Sequence, residues 1–132
     1  MLKLALAVVV AAHGVGHMLF LAPTLRLVTW ADQTGHSWLL TDLVGDPLTR
    51  AIASVAWAAT ALLFLVGSYG FLTGREWWRV VVLAAALDSL GAIVVMWDGI
   101  AASSALMAAA FDGAVIGTVV LAQWPTSNTT AS

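Results

Sequence analysis

The sequence predicts an all-α integral membrane protein: a four-transmembrane-helix bundle with an interfacial loop segment between helices 1 and 2. Three observations predict it. Of 132 residues, 61% are hydrophobic and only 9% are charged, whereas a soluble domain carries roughly 25% charged residues. Four apolar stretches each reach the length of about 20 residues that a helix needs to cross the hydrocarbon core. Tryptophans cluster at the ends of those stretches, where indole rings favour the headgroup region.

The first span covers about residues 2–21, the second 51–72, the third 78–97 and the fourth 102–124, all in one domain spanning 1–132. These runs are too long for the strands of a membrane barrel, which need about 10 alternating residues. Turn signals divide them. Pro23 closes the first, Asp46-Pro47 precedes the second, and Gly74-Arg75-Glu76 separates the second from the third. Asp98-Gly99 separates the third from the fourth, and Pro125 opens a polar tail over 125–132. Lys3 before an apolar run resembles a signal peptide, but the run is long, holds two histidines and has no small-x-small cleavage site, so a retained helix is expected.

Trp77, Trp78, Trp97 and Trp124 fall at predicted span ends, with Arg75 and Arg79 placed to snorkel. Trp57 lies well inside the second span and reads as a packing residue. Residues 22–50 form the one long connection, whose leucines and tryptophans suggest a segment lying in the outer interface and capping the bundle. His36, within it, reads as a surface residue. Ser103 and Ser104 read as caps of the fourth helix. GxxxG pairs at Gly70/Gly74 and Gly113/Gly117 indicate close helix packing, within the chain or between copies. The positive-inside rule, applied to Lys3, Arg75 and Arg79 against Arg26 and Arg50, places both termini in the cytoplasm, in the cytoplasmic membrane of a prokaryote.

Composition also excludes classes of function. Five Lys+Arg against seven Asp+Glu give a net charge of −2, with no basic stripe for nucleic acid. The chain has no cysteine, which removes disulfides, thiolate metal sites and cysteine nucleophiles. No Gly-x-Ser-x-Gly elbow, no HExxH and no phosphate-cradling loop is present, and no residue can be assigned a catalytic role.

Chemistry is carried by the polar minority at membrane depth. An aspartate at mid-helix costs roughly 2.5–3.5 kcal/mol on insertion scales, so each ionisable group there needs a reason. His13 and His17 on the first span, Asp88 on the third and Asp112 on the fourth are the candidates. The levels of His13, Asp88 and Asp112 agree within about one helical turn, roughly 5 Å, and His17 lies about one turn further outward on the face of His13, at i, i+4. Thr60 lies at the same level on the second span. Paired imidazoles with carboxylates suit a first-row transition metal such as zinc, iron or copper. The same residues could instead fix helix register, or form a proton relay. Histidines one turn apart on one helix cannot be opposite axial ligands of one haem.

Ala12-His13-Gly14-Val15-Gly16-His17 resembles the opening motif of a family of small, uncharacterised bacterial four-helix membrane proteins with an HGxxH element in the first helix. Trp57, Trp77-Trp78 and Trp97-Asp98 match the tryptophans that follow in that family. The layout is more distantly similar to DoxX-like proteins, a resemblance that implies the four-helix architecture and a link to quinone-dependent or thiol redox systems. That family commonly has a lysine where this chain has His17. Three functions are therefore expected of such a chain. It acts as a subunit or accessory component of a larger membrane complex, as a membrane-embedded metal-binding or quinone-linked redox protein, or, as an oligomer, as a proton or small-solute transporter. Lipid and other membrane subunits, or further copies of the chain, are its expected partners.

Overall fold

The first apolar stretch folds as two helical pieces rather than one. In a computed structural model of the chain, which describes residues 1–30, 32–121 and 123, α1 (Leu2–Gly16) and α2 (Met18–Thr24) are joined by a tightened turn at His17. There the His17 N–H donates to Gly14 O, three residues back, and His17 O accepts from both Phe20 and Leu21. Pro23 does not end the helix as the sequence suggests. It sits inside α2, which runs on to Thr24 and is closed by Arg26 in a left-handed conformation. Leu27 N–H donates to Ala22 O and Arg26 N–H to Pro23 O, a Schellman closure that satisfies the last carbonyls. Proline removes one hydrogen bond from a helix, and its ring crowds the carbonyl four residues back. The termination here is set by the αL turn.

A short helix, α3 (Thr41–Val44), follows, and then the long α4 (Asp46–Leu72). Pro47 lies in the first turn of α4, where a missing N–H costs nothing. The second span therefore begins before Ala51. Next come α5 (Trp78–Val95), a single 3-10 turn at Trp97–Gly99, and α6 (Ala102–Ile116), which continues into a widened π turn over Gly117–Leu121. The N-cap of α6 is Ala101 with no side-chain cap, so Ser103 and Ser104 lie inside the helix and not at its cap. Trp124 and the tail over 125–132 lie outside the described residues. The helices covering Leu2–Thr24, Asp46–Leu72, Trp78–Val95 and Ala102–Leu121 are long and apolar enough to cross a membrane, and the chain is an integral membrane protein with these four spans.

Each helix buries one stripe. On α4 it runs through Ala53, Trp57, Ala61, Phe64 and Phe71, and on α5 through Val82, Ala85, Ala86, Ala92 and Ile93. The helices pack in sequence around the bundle: α1 and α2 on α4, α4 on α5, α5 on α6. α1 and α6 meet through side chains, with His13 stacked on Phe111 and hydrogen-bonded to Asp112. Gly14 sets the tightest approach of the first pair. A Cβ there would lie 2.7 Å from Phe64 Cβ and 3.0 Å from Ala61 O.

The long loop is fastened over one end of the bundle. Thr34 and Gly35 N–H groups donate to Gly99 O, and the Trp38 indole donates to Val94 O at 2.7 Å. The Ser37 hydroxyl donates to Val95 O at 2.6 Å. Asp98 accepts from Trp38 N–H at 2.8 Å and holds the His36 ring at 2.6 Å, so His36, exposed as expected, also ties the loop to the helix turn. Gly99 has no Cβ, and one placed there would run into the His36 backbone. Arg50 pins the other side of the loop, reaching Thr24 O, Thr34 O and the Asp46 carboxylate. Arg26 also pairs with Asp46 at 2.8 Å.

Gly113 and Gly117 are not used for packing within the chain, since a Cβ at either meets nothing within 4 Å. Gly70, by contrast, lies against the Trp77 ring. Gly14→Val is expected to lower stability by about 1–3 kcal/mol, the usual cost of overpacking. Gly91→Ala, at a position with open space, should leave it unchanged. Thermal unfolding of the two variants in one detergent checks this.

Candidate metal centre

The buried stripes decide which polar residues meet. The stripe of α6 runs through Ala105, Ala108, Asp112, Val115 and Val119, so Asp112 points inward and is fully buried. His17 is also buried, with 1% of its surface exposed, while His13 is half-buried. His13 Nε2 lies 3.0 Å from Asp112 Oδ1 and 3.3 Å from His17 Nε2. One ligand atom from each of His13, His17 and Asp112 lies within 4.8 Å of the other two.

Asp88 is placed elsewhere. The inward stripe of α5 carries Ser89, one residue on, and Asp88 is turned about 100° away. Its carboxylate accepts a hydrogen bond of 2.7 Å from the Thr60 hydroxyl. The inward Ser89 Oγ instead lies 3.3 Å from His17 Nε2. Ser89 is a site residue that sequence reasoning passed over in favour of its charged neighbour. The small and apolar residues at Val82, Ala85, Ala86, Ala92 and Ile93, read at helical spacing, would have selected it.

Four aromatic rings wall the polar group. His13 stacks on Phe111 with centroids 3.9 Å apart and meets Phe64 edge-on at 4.9 Å. His17 lies nearly parallel to Trp57 and Phe64, at 5.9 and 6.0 Å. Phe20 closes the loop side, 5.7 Å from His17. Trp57 is a packing residue, fully buried, but its packing partner is the site itself.

The hydrogen-bond arithmetic of this group is incomplete. A neutral imidazole has one N–H and one lone pair. His13 Nε2 faces a carboxylate oxygen and another imidazole nitrogen at once. If it carries a proton, that proton can serve Asp112 or His17, and the nitrogen has no lone pair for the other. Asp112 Oδ2 and His17 Nδ1 are buried with no partner among the described residues. Buried polar atoms without partners each cost about 1–3 kcal/mol.

A cation would resolve the crowding of lone pairs around His13. Tetrahedral zinc, with bonds of about 2.0–2.1 Å to nitrogen and oxygen, sets its ligand atoms about 3.3–3.4 Å apart. The 3.3 Å and 3.0 Å separations around His13 are close to that edge length, while His17 and Asp112 are held only to within 4.8 Å, so a bound ion would draw those two together. The donor set, two imidazole nitrogens and one carboxylate oxygen, suits zinc, iron or copper. Three protein ligands leave at least one coordination position open. No family model, curated protein or solved structure matches the chain.

Removing the carboxylate leaves His13 without its acceptor in a dry environment. Asp112→Ala is expected to cost about 1–3 kcal/mol. Asp88→Asn keeps an oxygen for the Thr60 hydroxyl and should cost clearly less. Thermal denaturation of both variants under the same conditions, with metal chelated, reads the difference.

Proposed function

We propose that this chain is a membrane-embedded metal-binding protein, with His13, His17 and Asp112 as the ligands. The observation that carries this reading is the meeting of three ligand atoms, from His13 on α1, His17 in the turn after it and Asp112 on α6, inside an aromatic cage. The Ser89 hydroxyl lies 3.3 Å from His17 Nε2, the nitrogen that faces His13, and adds an oxygen beside the site. Asp88, paired with Thr60, stands outside the ligand set and acts as a tie between α4 and α5. Iron or copper at such a site would suit the redox role that the DoxX-like resemblance implies, and zinc would suit a Lewis-acid role.

A second reading, a subunit of a larger membrane assembly, is compatible with the first. It is favoured by Gly113 and Gly117, which offer a close-approach surface that the described residues do not use. A carrier of this size with short loops would work by presenting its metal to a neighbour.

Elemental analysis of protein purified without chelators is expected to find about one transition-metal ion per chain. His13→Ala, His17→Ala and Asp112→Ala should each lose it, while His36→Ala and Asp88→Asn should keep it. Wild-type protein that takes up no metal, or His13→Ala protein that retains a full equivalent, overturns the reading.

A further inference from the structure

A cleft of about 320 Å³ opens beside the two histidines, in the half of the bundle nearer the long loop. His13, His17, Phe20 and Met107 are among the residues that line it. Trp30 and Gln33, from the loop, form its upper edge. It lies between the first span and α6, beside the stacked His13 and Phe111 rings. Most of its wall is apolar, and Met107 is largely exposed, so the cleft opens toward the hydrocarbon and not toward water.

Two features say what belongs in it. The first is charge. A divalent ion with the Asp112 carboxylate and two neutral imidazoles carries a net charge of +1. That charge is expensive at membrane depth, and no Lys or Arg lines the cleft to hold an anion in the ion's stead. One monoanion in the open coordination position makes the site neutral. The second feature is Gln33. Its side-chain oxygen is buried and has no partner among the described residues. An amide offers a donor at one end and an acceptor at the other. By turning over, Gln33 can present its NH2 to a bound oxygen atom or keep its C=O for an incoming O–H.

We propose that the cleft binds a medium-chain aliphatic monocarboxylate, whose carboxylate completes the metal coordination and whose chain lies along Phe20 and Met107 toward the lipid. This rests on the metal reading above. An alcohol of the same length fills the space but leaves the site charged. An amine adds a second positive charge. A carboxylate with no chain balances the charge but leaves the apolar walls unused. Octanoate supplies both the single negative charge and a chain for the apolar walls.

The test uses full-length protein in nanodiscs, loaded with cobalt(II) in place of the native metal, whose visible spectrum reports on its ligands. Octanoate is expected to change the spectrum saturably, at concentrations at least tenfold below those of acetate. Octanol and octylamine should leave it unchanged. Gly16→Leu places a side chain in the cleft, from a position where a Cβ meets no atom within 4 Å. That variant should bind cobalt as before and lose the octanoate response. Gln33→Leu should weaken the response several-fold. Cobalt bound with a spectrum insensitive to octanoate overturns the carboxylate site alone. Equal responses to acetate and octanoate, or an undiminished response in Gly16→Leu, overturn the cleft as its location. Failure to bind any metal overturns this proposal together with the metal reading.

Discussion

Inside a bilayer a polar atom has no water to turn to, and the arrangement of this bundle follows from that constraint. Two imidazoles on the first span must find partners on other helices. Asp112 and Ser89 supply them from the inward stripes of α6 and α5. The glycines of the His13-Gly14-Val15-Gly16-His17 run then have distinct tasks. Gly14 admits Phe64 so closely that its ring touches both imidazoles. Gly16 faces the cleft and leaves it open. The motif therefore sets two imidazoles on one face with two gaps built in, one for an aromatic wall and one that leaves the cleft open.

The fold was legible in the sequence because its cause is compositional. Four apolar runs of sufficient length, in a chain with so few charges, have one architecture available to them. Span ends were less legible. Pro23 reads as a stop, yet the αL turn at Arg26 makes the stop, and a non-glycine residue in that conformation leaves no mark in the sequence. Asp46-Pro47 reads as a turn, yet proline in a first helical turn is a start signal as much as a break.

The site was legible in kind and partly in membership. Depth along each span brought His13, Asp88 and Asp112 to one level, with His17 about one turn further outward. Depth does not give the angle around the helix axis, and angle separates Asp88 from Asp112. Asp112 keeps step with Ala105, Ala108, Val115 and Val119, whereas Asp88 falls one residue out of step with its stripe. Charge drew attention to Asp88, and burial gave the place to Ser89. The pairing of His36 with Asp98 was hidden for another reason. The two residues are 62 positions apart, and nothing local to either announces the other.

That distance has a consequence for biosynthesis. The fastening of the long loop joins residues 34–38 to residues 94–99, so it cannot form until the third span has left the ribosome. His17 likewise waits for Ser89, and His13 for Asp112 on the last span. During synthesis the first helix therefore enters the bilayer with both imidazoles unsatisfied, and the closing of the bundle repays them in order, from the third helix and then the fourth. A chain arrested after its second span would hold a helical hairpin with no cap and no site. Assembly of this protein is completed by its C-terminal half, and the segment that carries the histidines is the one that waits longest.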